Sequence, residues 1–469
     1  MQQAITATTR GVHQPRVFVS AAHKSSGKTT LTLGLAAALA QRGHAVQPFK
    51  KGPDYIDPLW LGLAAGRPCY NLDFHMMRKD EIAAQFARAA VGARISLIEG
   101  NKGLYDGLDL DGSNSNAALA KLLDAPVVLV VDARGMTRGV APLILGYQAF
   151  DRDIRIAGVI LNQLGGSRHE SKLRAVIEHY TDVEVIGAVQ HDAAMQIAER
   201  HLGLIPANEQ GAAQARIRAV GERIAAQVDL DRLFAIADAV PPFEAPAGPA
   251  PTASAPRVRI GIAQDQAFGF YYSEDLDSLR AAGVELVALD LLHDAALPAL
   301  DGLVIGGGFP EMFMDALEAN GGMRASVRAA IETGLPTYAE CGGLMYLSRS
   351  LSWQGRTRRM AGVVPGDTVM HERPVGRGYA RLQPSGDDRW HESGVIPAHE
   401  FHYSSLENLP DDACYAYRVA RGHGIDGAHD GYQAHNLLAA YVHRRGSGPQ
   451  GWIAPFLNQV RARKARLAA

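Results

Sequence analysis

Residues 16–40 read RVFVSAAHKSSGKTTLTLGLAAALA, and this stretch decides the class of fold. A β-branched apolar run, Val17 to Ala21, leads into a Ser/Gly turn and then into a long helix-forming run from Lys28. Gly27, Lys28 and Thr29 complete the spacing G-x-x-x-x-G-K-[ST], with Ala22 where the first glycine usually stands. Strand, loop and helix in that order form a phosphate cradle. Backbone N–H groups and the helix N-terminus face the phosphate oxygens, Lys28 reaches the β and γ phosphates, and Thr29 ligates magnesium. Thr30 continues the same ATP-binding loop. The pattern predicts an amphipathic helix behind the loop. A Gly/Ser turn without a ligand is the plainer alternative, and the joint occurrence of strand, GKT and helix argues against it.

Working outward, Ala45 to Phe49, Ile95 to Ile98, Val127 to Val131 and Ile156 to Leu161 are further short apolar runs separated by helical patterns. Such alternation means βαβ units and a parallel sheet covered on both faces. Residues 239–257, AVPPFEAPAGPAPTASAPR, are rich in Pro and Ala and read as a semi-extended linker. The alternation restarts with Val258 to Ala263, Val284 to Leu289, Leu303 to Ile305 and Thr337 to Ala339. A chain of 469 residues has room for this. The expected organisation is an N-terminal extension (1–15), an α/β phosphate-loop domain (16–238), the linker (239–257) and a second α/β domain (258–469).

Lys plus Arg is 47 and Asp plus Glu is 49, a formal net charge of −2 that offers no surplus for nucleic acid or an anionic membrane. Three cysteines, Cys69, Cys341 and Cys414, exclude a disulfide scaffold and show no metal-ligand spacing. No apolar run approaches the ~18 residues of a membrane span, and the first fifteen residues have no signal-like apolar core. A cytoplasmic protein is expected, with small-molecule partners and a homodimer as the self-association allowed for.

Acidic residues follow the later strands of the first half, where open α/β sheets place their ligands. Asp54 and Asp57 lie in KKGPDYIDP, Glu99 ends the run before Gly100, and Asp106 lies in GLYDG. Carboxylates beside a triphosphate serve as magnesium ligands or substrate positioners, since otherwise they would repel it. For Asp54 and Asp57 the alternative is a turn shaped by Asp and Pro. An acid such as Glu99 that ends an apolar strand needs a cation.

In the second half, GLPTYAECGGLMYLS sets Cys341 between a strand and a helix opening with Gly342 and Gly343. A thiol on that turn is exposed and its thiolate is favoured by the helix N-terminus, as a nucleophile requires. Gly307 and Gly308 in VIGGGFPE, together with Gly342, are candidate oxyanion donors. The base is best sought at His443, which ends the apolar run NLLAAYVH, with His399 and His402 as alternatives. A lone buried cysteine is more often a small hydrophobe. The paired glycines and the upstream glycine loop argue for the nucleophile.

SSGKTT, KKGPDYIDP, NLDFHMM, EG followed by GLYDG, and HLGLIPANE together resemble the synthetase domain of the cobyrinic acid a,c-diamide synthase family, related to dethiobiotin synthetase. FGFYYSEDLDSL, DGLVIGGGFPEMF, YAECGGLMYL, AHEFHYSSLE and LLAAYVH resemble that family's class I glutamine amidotransferase domain, in order. The resemblance implies that Thr29, Asp54 and Glu99 hold magnesium, that Asp57 and Asp106 position a substrate carboxylate, and that Asn162 reads adenine. It implies Cys341 as nucleophile and His443 as base. The common pattern has Glu two residues after the His; position 445 is Arg. Lys51 and Lys102 are the candidate cations for an anionic substrate.

The implied reaction is ATP- and glutamine-dependent amidation of the a and c acetate carboxylates of cobyrinic or hydrogenobyrinic acid. It proceeds through an acyl phosphate that ammonia displaces. Sirohydrochlorin or siroheme is the alternative substrate, since Asn101 and Lys102 stand where corrinoid enzymes usually have a small or apolar pair. A different class, an ATP-driven switch of the partition type, usually carries a signature Lys five residues before the loop Lys. That position is His23, with Lys24 displaced by one.

Overall fold

The computed structural model describes residues 11–195, 197, 199–200, 203–204, 213–244, 257–386, 390 and 394–468. Residues 1–10 of the extension, 245–256 of the linker and most of HLGLIPANE lie outside the described residues. The chain divides into two compact units, residues 1–249 and 250–469.

The first unit is built on β1 (Arg16–Ala21), β2 (Val46–Lys51), β3 (Tyr70–Leu72), β4 (Ile95–Glu99), β5 (Val127–Asp132), β6 (Ile156–Leu164) and β7 (Val185–Gln190). They form one sheet in the order β3-β2-β4-β1-β5-β6-β7, every pairing parallel. Every residue of β1, β2, β4 and β5 is buried, as a sheet covered on both faces demands. The central strands bring their C-terminal ends together. Val19 pairs with Glu99, and Glu99 with Lys50, so the loop after β1 and the ends of β2 and β4 share one edge.

The helix behind the loop, α1 (Lys28–Gln41), is buried on nearly all sides rather than amphipathic. Its run LGLAAALA is apolar all round because a helix over residues 213–225 covers the face away from the sheet. A Cβ on Gly34 would lie 2.3 Å from Ile224, and one on Gly221 would lie 2.8 Å from Ala37. The start of the Pro/Ala-rich segment also packs on this unit. Phe243 pairs with Val12 by two backbone hydrogen bonds, and the buried guanidinium of Arg16 donates to the Pro241 carbonyl and lies over the Phe243 ring.

In the second unit β8 (Val258–Ala263), β9 (Val284–Leu289), β10 (Gly302–Ile305), β11 (Thr337–Glu340), β12 (Gly376–Pro384), β13 (Ile396–His402), β14 (Cys414–Arg421), β15 (His429–Ala434) and β16 (Leu437–Ala440) form a nine-stranded sheet. The order is β9-β8-β10-β11-β16-β15-β14-β12-β13. The first five are parallel and the rest antiparallel. The antiparallel extension has no apolar run to announce it, because strands such as β12 alternate buried with exposed residues. Among the described residues no helix is long and apolar enough to cross a membrane.

Candidate active sites

At the first site the loop from Ala22 to Gly27 turns through Ser25 (φ 65°) and Gly27 (φ 77°). Ala22 has no positive φ, so a Cβ is accommodated where the usual motif has glycine. Its carbonyl accepts the Tyr147 hydroxyl. Gly27 is a different matter, since a Cβ there would lie 2.4 Å from the Asn162 amide nitrogen. Asn162 donates to the Ser26 carbonyl at 2.8 Å and so shapes the loop. Lys28 is buried behind it. Burial, then Lys50, lowers its pKa, with Glu99, Asp57 and Asp54 opposing.

Of the four acids predicted from the sequence, Asp106 stands apart, while Asp54, Asp57 and Glu99 converge on Lys50. Its Nζ donates to Asp57 Oδ2 at 2.5 Å and Glu99 Oε1 at 2.8 Å, and lies 3.8 Å from Asp54 Oδ2. The Thr29 hydroxyl faces the same pair, 2.6 Å from Glu99 Oε1 and 3.3 Å from Asp57 Oδ2. Asp54 also serves the turn, accepting the N–H groups of Ile56 and Asp57 at the start of the helix Ile56–Ala65. Desolvation, then Asp57, raises Asp54 to about 7 against the pull of Lys50.

These groups suit a magnesium ion in kind, being hard oxygen donors, and the second oxygen of Glu99 is buried without a hydrogen-bond partner. With Lys50 among them, no three His, Cys, Asp or Glu side chains of the described residues stand in metal-ligating geometry.

Lys51, the neighbour of Lys50, is buried, and burial lowers it to about 8 despite Asp73. Lys102 (φ 28°) is exposed and adds to that lowering. Asp106 is exposed and accepts the Gly103 N–H at 2.9 Å. Asn116, unnoticed in the sequence, holds this loop by donating to the Asn101 and Gly103 carbonyls. His23 and Lys24, at the position of the switch-protein signature, are exposed.

At the second site β11 ends in Glu340 and the chain turns at Cys341 (φ 47°, ψ −104°) into the six-residue helix Gly342–Leu347; Cys341, expected to be exposed on this turn, is buried, because the glycines around it let the backbone close in. That φ is strained for a residue with a Cβ, as at nucleophiles held on a strand-to-helix elbow. Three glycines allow the elbow to be this tight. A Cβ on Gly343 would lie 2.2 Å from the Ile305 carbonyl oxygen, on Gly342 3.0 Å from the Gly308 nitrogen, and on Gly308 2.0 Å from the Ala267 carbonyl oxygen. Gly307, Gly308 and Gly342, the predicted oxyanion donors, are therefore gathered at one place. Gly307 also lies against His443, since a Cβ there would lie 2.7 Å from His443 Cε1.

His443 lies three residues past β16, alongside β11, and its ring hydrogen-bonds Cys341. Nδ1 faces Glu340 Oε2 at 3.2 Å. Burial pulls the imidazole down, but Cys341 and then Glu340 overcome it and hold His443 at about 10. The other histidines support it. His399 exchanges two backbone hydrogen bonds with His443 and stacks on its ring, and His402 pairs with the Ser404 carbonyl and stacks on Tyr441. Buried Asp430 accepts the N–H groups of Tyr441 and Val442, which fixes the approach to His443. Glu340, Lys50 and Asp430 stand at these two sites without any signal in the local sequence that singles them out.

A phosphate loop with its acids in one unit and a thiol–imidazole pair in the other define a glutamine-dependent amidating ligase. A CobQ/CobB/MinD/ParA nucleotide binding domain matches residues 18–205, and a CobB/CobQ-like glutamine amidotransferase domain matches residues 259–447. A cobyrinate a,c-diamide synthase of Magnetococcus marinus is 48% identical over 450 residues, covering 94% of this chain and 96% of the relative. One of Methanosarcina acetivorans is 44% identical over 464 residues, 92% of each chain, and one of Listeria innocua 39% identical over 432, 91% of this chain and 95% of the relative. The chain belongs to the cobyrinate a,c-diamide synthase family.

Proposed function

We propose that the protein amidates the a and c acetate carboxylates of cobyrinic or hydrogenobyrinic acid, using ATP and glutamine. The observation that carries the reading is the pairing, in one chain, of the Thr29–Lys50–Asp57–Glu99 cluster beside a phosphate loop with the Cys341–His443 pair at a strand-to-helix elbow. The first activates a carboxylate; the second releases ammonia.

At the second site the Cys341 thiolate attacks the glutamine side-chain amide. N–H groups of Gly307, Gly308 or Gly342 face the oxyanion, and His443 passes its proton to the departing ammonia. Water then hydrolyses the thioester to glutamate. At the first site a substrate carboxylate oxygen attacks the γ-phosphorus, ADP leaves, and ammonia displaces phosphate from the acyl phosphate. Lys28 neutralises charge on the transferring group, and Asn162 reads adenine from the sheet edge. Thr29, Asp54 and Glu99 would hold a magnesium ion, which when bound neutralises charge on the β and γ phosphates. Asp57 and Asp106, with Lys51 and Lys102, place the substrate carboxylate.

The relatives are named for cobyrinate, which favours the corrinoid acids over sirohydrochlorin and siroheme. The test is to incubate the protein with ATP, magnesium and glutamine and each of the four tetrapyrroles, and weigh the products. Each amidation replaces OH by NH2. Two such steps on cobyrinic or hydrogenobyrinic acid are expected. No amide on any of the four, with glutaminase activity intact, would sink the assignment.

A further inference from the structure

A thiol–imidazole pair works best when a carboxylate holds the imidazole in one tautomer and steadies the imidazolium that forms. Where the common amidotransferase pattern puts that carboxylate, this chain has Arg445, whose Nε is turned toward Glu274 Oε1 at 3.8 Å. The side chain that faces His443 Nδ1 comes from elsewhere: Glu340, the residue before the nucleophile, at 3.2 Å.

Three observations fix Glu340 in that place. First, β11 and β16 are parallel with Glu340 opposite Ala440, so the end of one strand and the residues following the other meet side by side. Second, the carboxylate is shared between tasks. Oε1 accepts the Tyr338 hydroxyl at 2.5 Å and the Arg444 N–H at 2.9 Å, while Oε2 is the oxygen turned to His443. Third, the donors themselves are braced. The Tyr338 ring stacks on Trp452 at 4.2 Å, and the buried Arg444 guanidinium donates to the Tyr417 hydroxyl and the Gln450 carbonyl. Glu340 and His443 are both buried, so little water competes for the contact.

We propose that Glu340 is the third member of the glutaminase machinery, a positioning residue that holds His443 with its proton on Nδ1 and leaves the other ring nitrogen to Cys341. The elbow thereby carries nucleophile and orienting acid on adjacent residues, which frees position 445 for the Arg445–Glu274 contact. The proposal rests on the thiol-glutaminase reading above.

The test compares Glu340→Gln and Glu340→Asp in the full chain. Gln is isosteric and still accepts from Tyr338 and Arg444; Asp keeps the charge but is shorter. If Glu340 only braces the strand, Gln resembles the parent and Asp is the poorer variant. If its charge serves His443, the order reverses. The first readout is the pH dependence of Cys341 alkylation by iodoacetamide, followed on the Cys341 peptide by mass spectrometry so that exposed Cys414 does not interfere. The titratable groups facing His443 are Glu340, Cys341 and the stacked His399.

Loss of the carboxylate weakens the imidazolium and hence the thiolate paired with it. In Glu340→Gln the midpoint of the alkylation profile should rise by about one pH unit or more relative to the parent. In Glu340→Asp it should return part of the way. The second readout is glutaminase kcat, expected to fall roughly 100-fold or more in Glu340→Gln with KM little changed. An unmoved midpoint in Glu340→Gln, or a kcat within threefold of the parent, overturns the proposal. Alkylation needs no glutamine turnover, so the outcome is separate from that of Cys341→Ala, which tests the glutaminase reading itself.

Discussion

Removing the Lys50 ammonium by Lys50→Met should destabilise the first unit far more than any surface charge would. The side chain is 3% exposed and its two nearest partners, Glu99 and Asp57, are 0% and 16% exposed. At an effective dielectric of about 20, the Glu99 contact at 2.8 Å is worth about 6 kcal/mol and the Asp54 contact at 3.8 Å about 4 kcal/mol of gross attraction. Desolvation of the ammonium offsets much of this. The variant, however, keeps the acids and loses their cation, and stranding a buried charge costs about 3 to 5 kcal/mol. Native-state hydrogen exchange of peptides spanning β1 and β4 reads the loss locally, without requiring that both units unfold together. Protection there should fall about 100-fold to several thousand-fold at pH 7 without nucleotide or magnesium, while β8 and β10 of the second unit keep theirs. A loss of protection below about fivefold, near 1 kcal/mol, would refute Lys50 as the counter-ion of the cluster.

Cys341→Ala should abolish glutamine-driven amidation and leave the rate from ammonium salts intact, as product mass would show; a retained glutamine-driven rate removes Cys341 from the chemistry. Lys28→Ala should lose amidation from either nitrogen source, by about 100-fold to 1000-fold, the usual effect of deleting one charge-stabilising contact. Near-normal ammonium-driven turnover would contradict the phosphate-loop assignment. Burial raises Asp430 to about 6 against the N–H groups of Tyr441, Val442 and Gly431. Its folded pKa thus exceeds the unfolded value near 3.9, so the native state binds the extra proton and this group's contribution falls as pH rises from about 4 to 6. Asp430→Asn should flatten that part of the stability profile in urea titrations at pH 4.5 and 7; an unchanged slope would place the titration elsewhere.

Much of this protein is written in short stretches of consecutive residues. The GKT loop between strand and helix, the acids of KKGPDYIDP and the ECGG elbow each depend on neighbours in the chain, because turn conformation and strand ends are local properties. Others depend on which way a side chain points. Lys50 and Lys51 are adjacent in β2 and project to opposite faces of the sheet, so the identity of the lysine that meets Glu99 follows only from the sheet's order. Local patterning likewise misses the antiparallel extension of the second sheet, where strands such as β12 mix exposed with buried residues and lack the apolar runs of the parallel ones.

The partner of His443 lies furthest from what consecutive residues reveal. Two positions along the chain the residue is Arg445, and the carboxylate that takes the role in space is Glu340, 103 residues away. What joins them is the parallel register of β11 with β16, a long-range pairing set by the whole sheet. Consecutive residues thus suffice to specify a phosphate loop and a thiol elbow. Which lysine neutralises the acids and which acid faces His443 depend instead on strand order and register, which no local stretch of the chain contains.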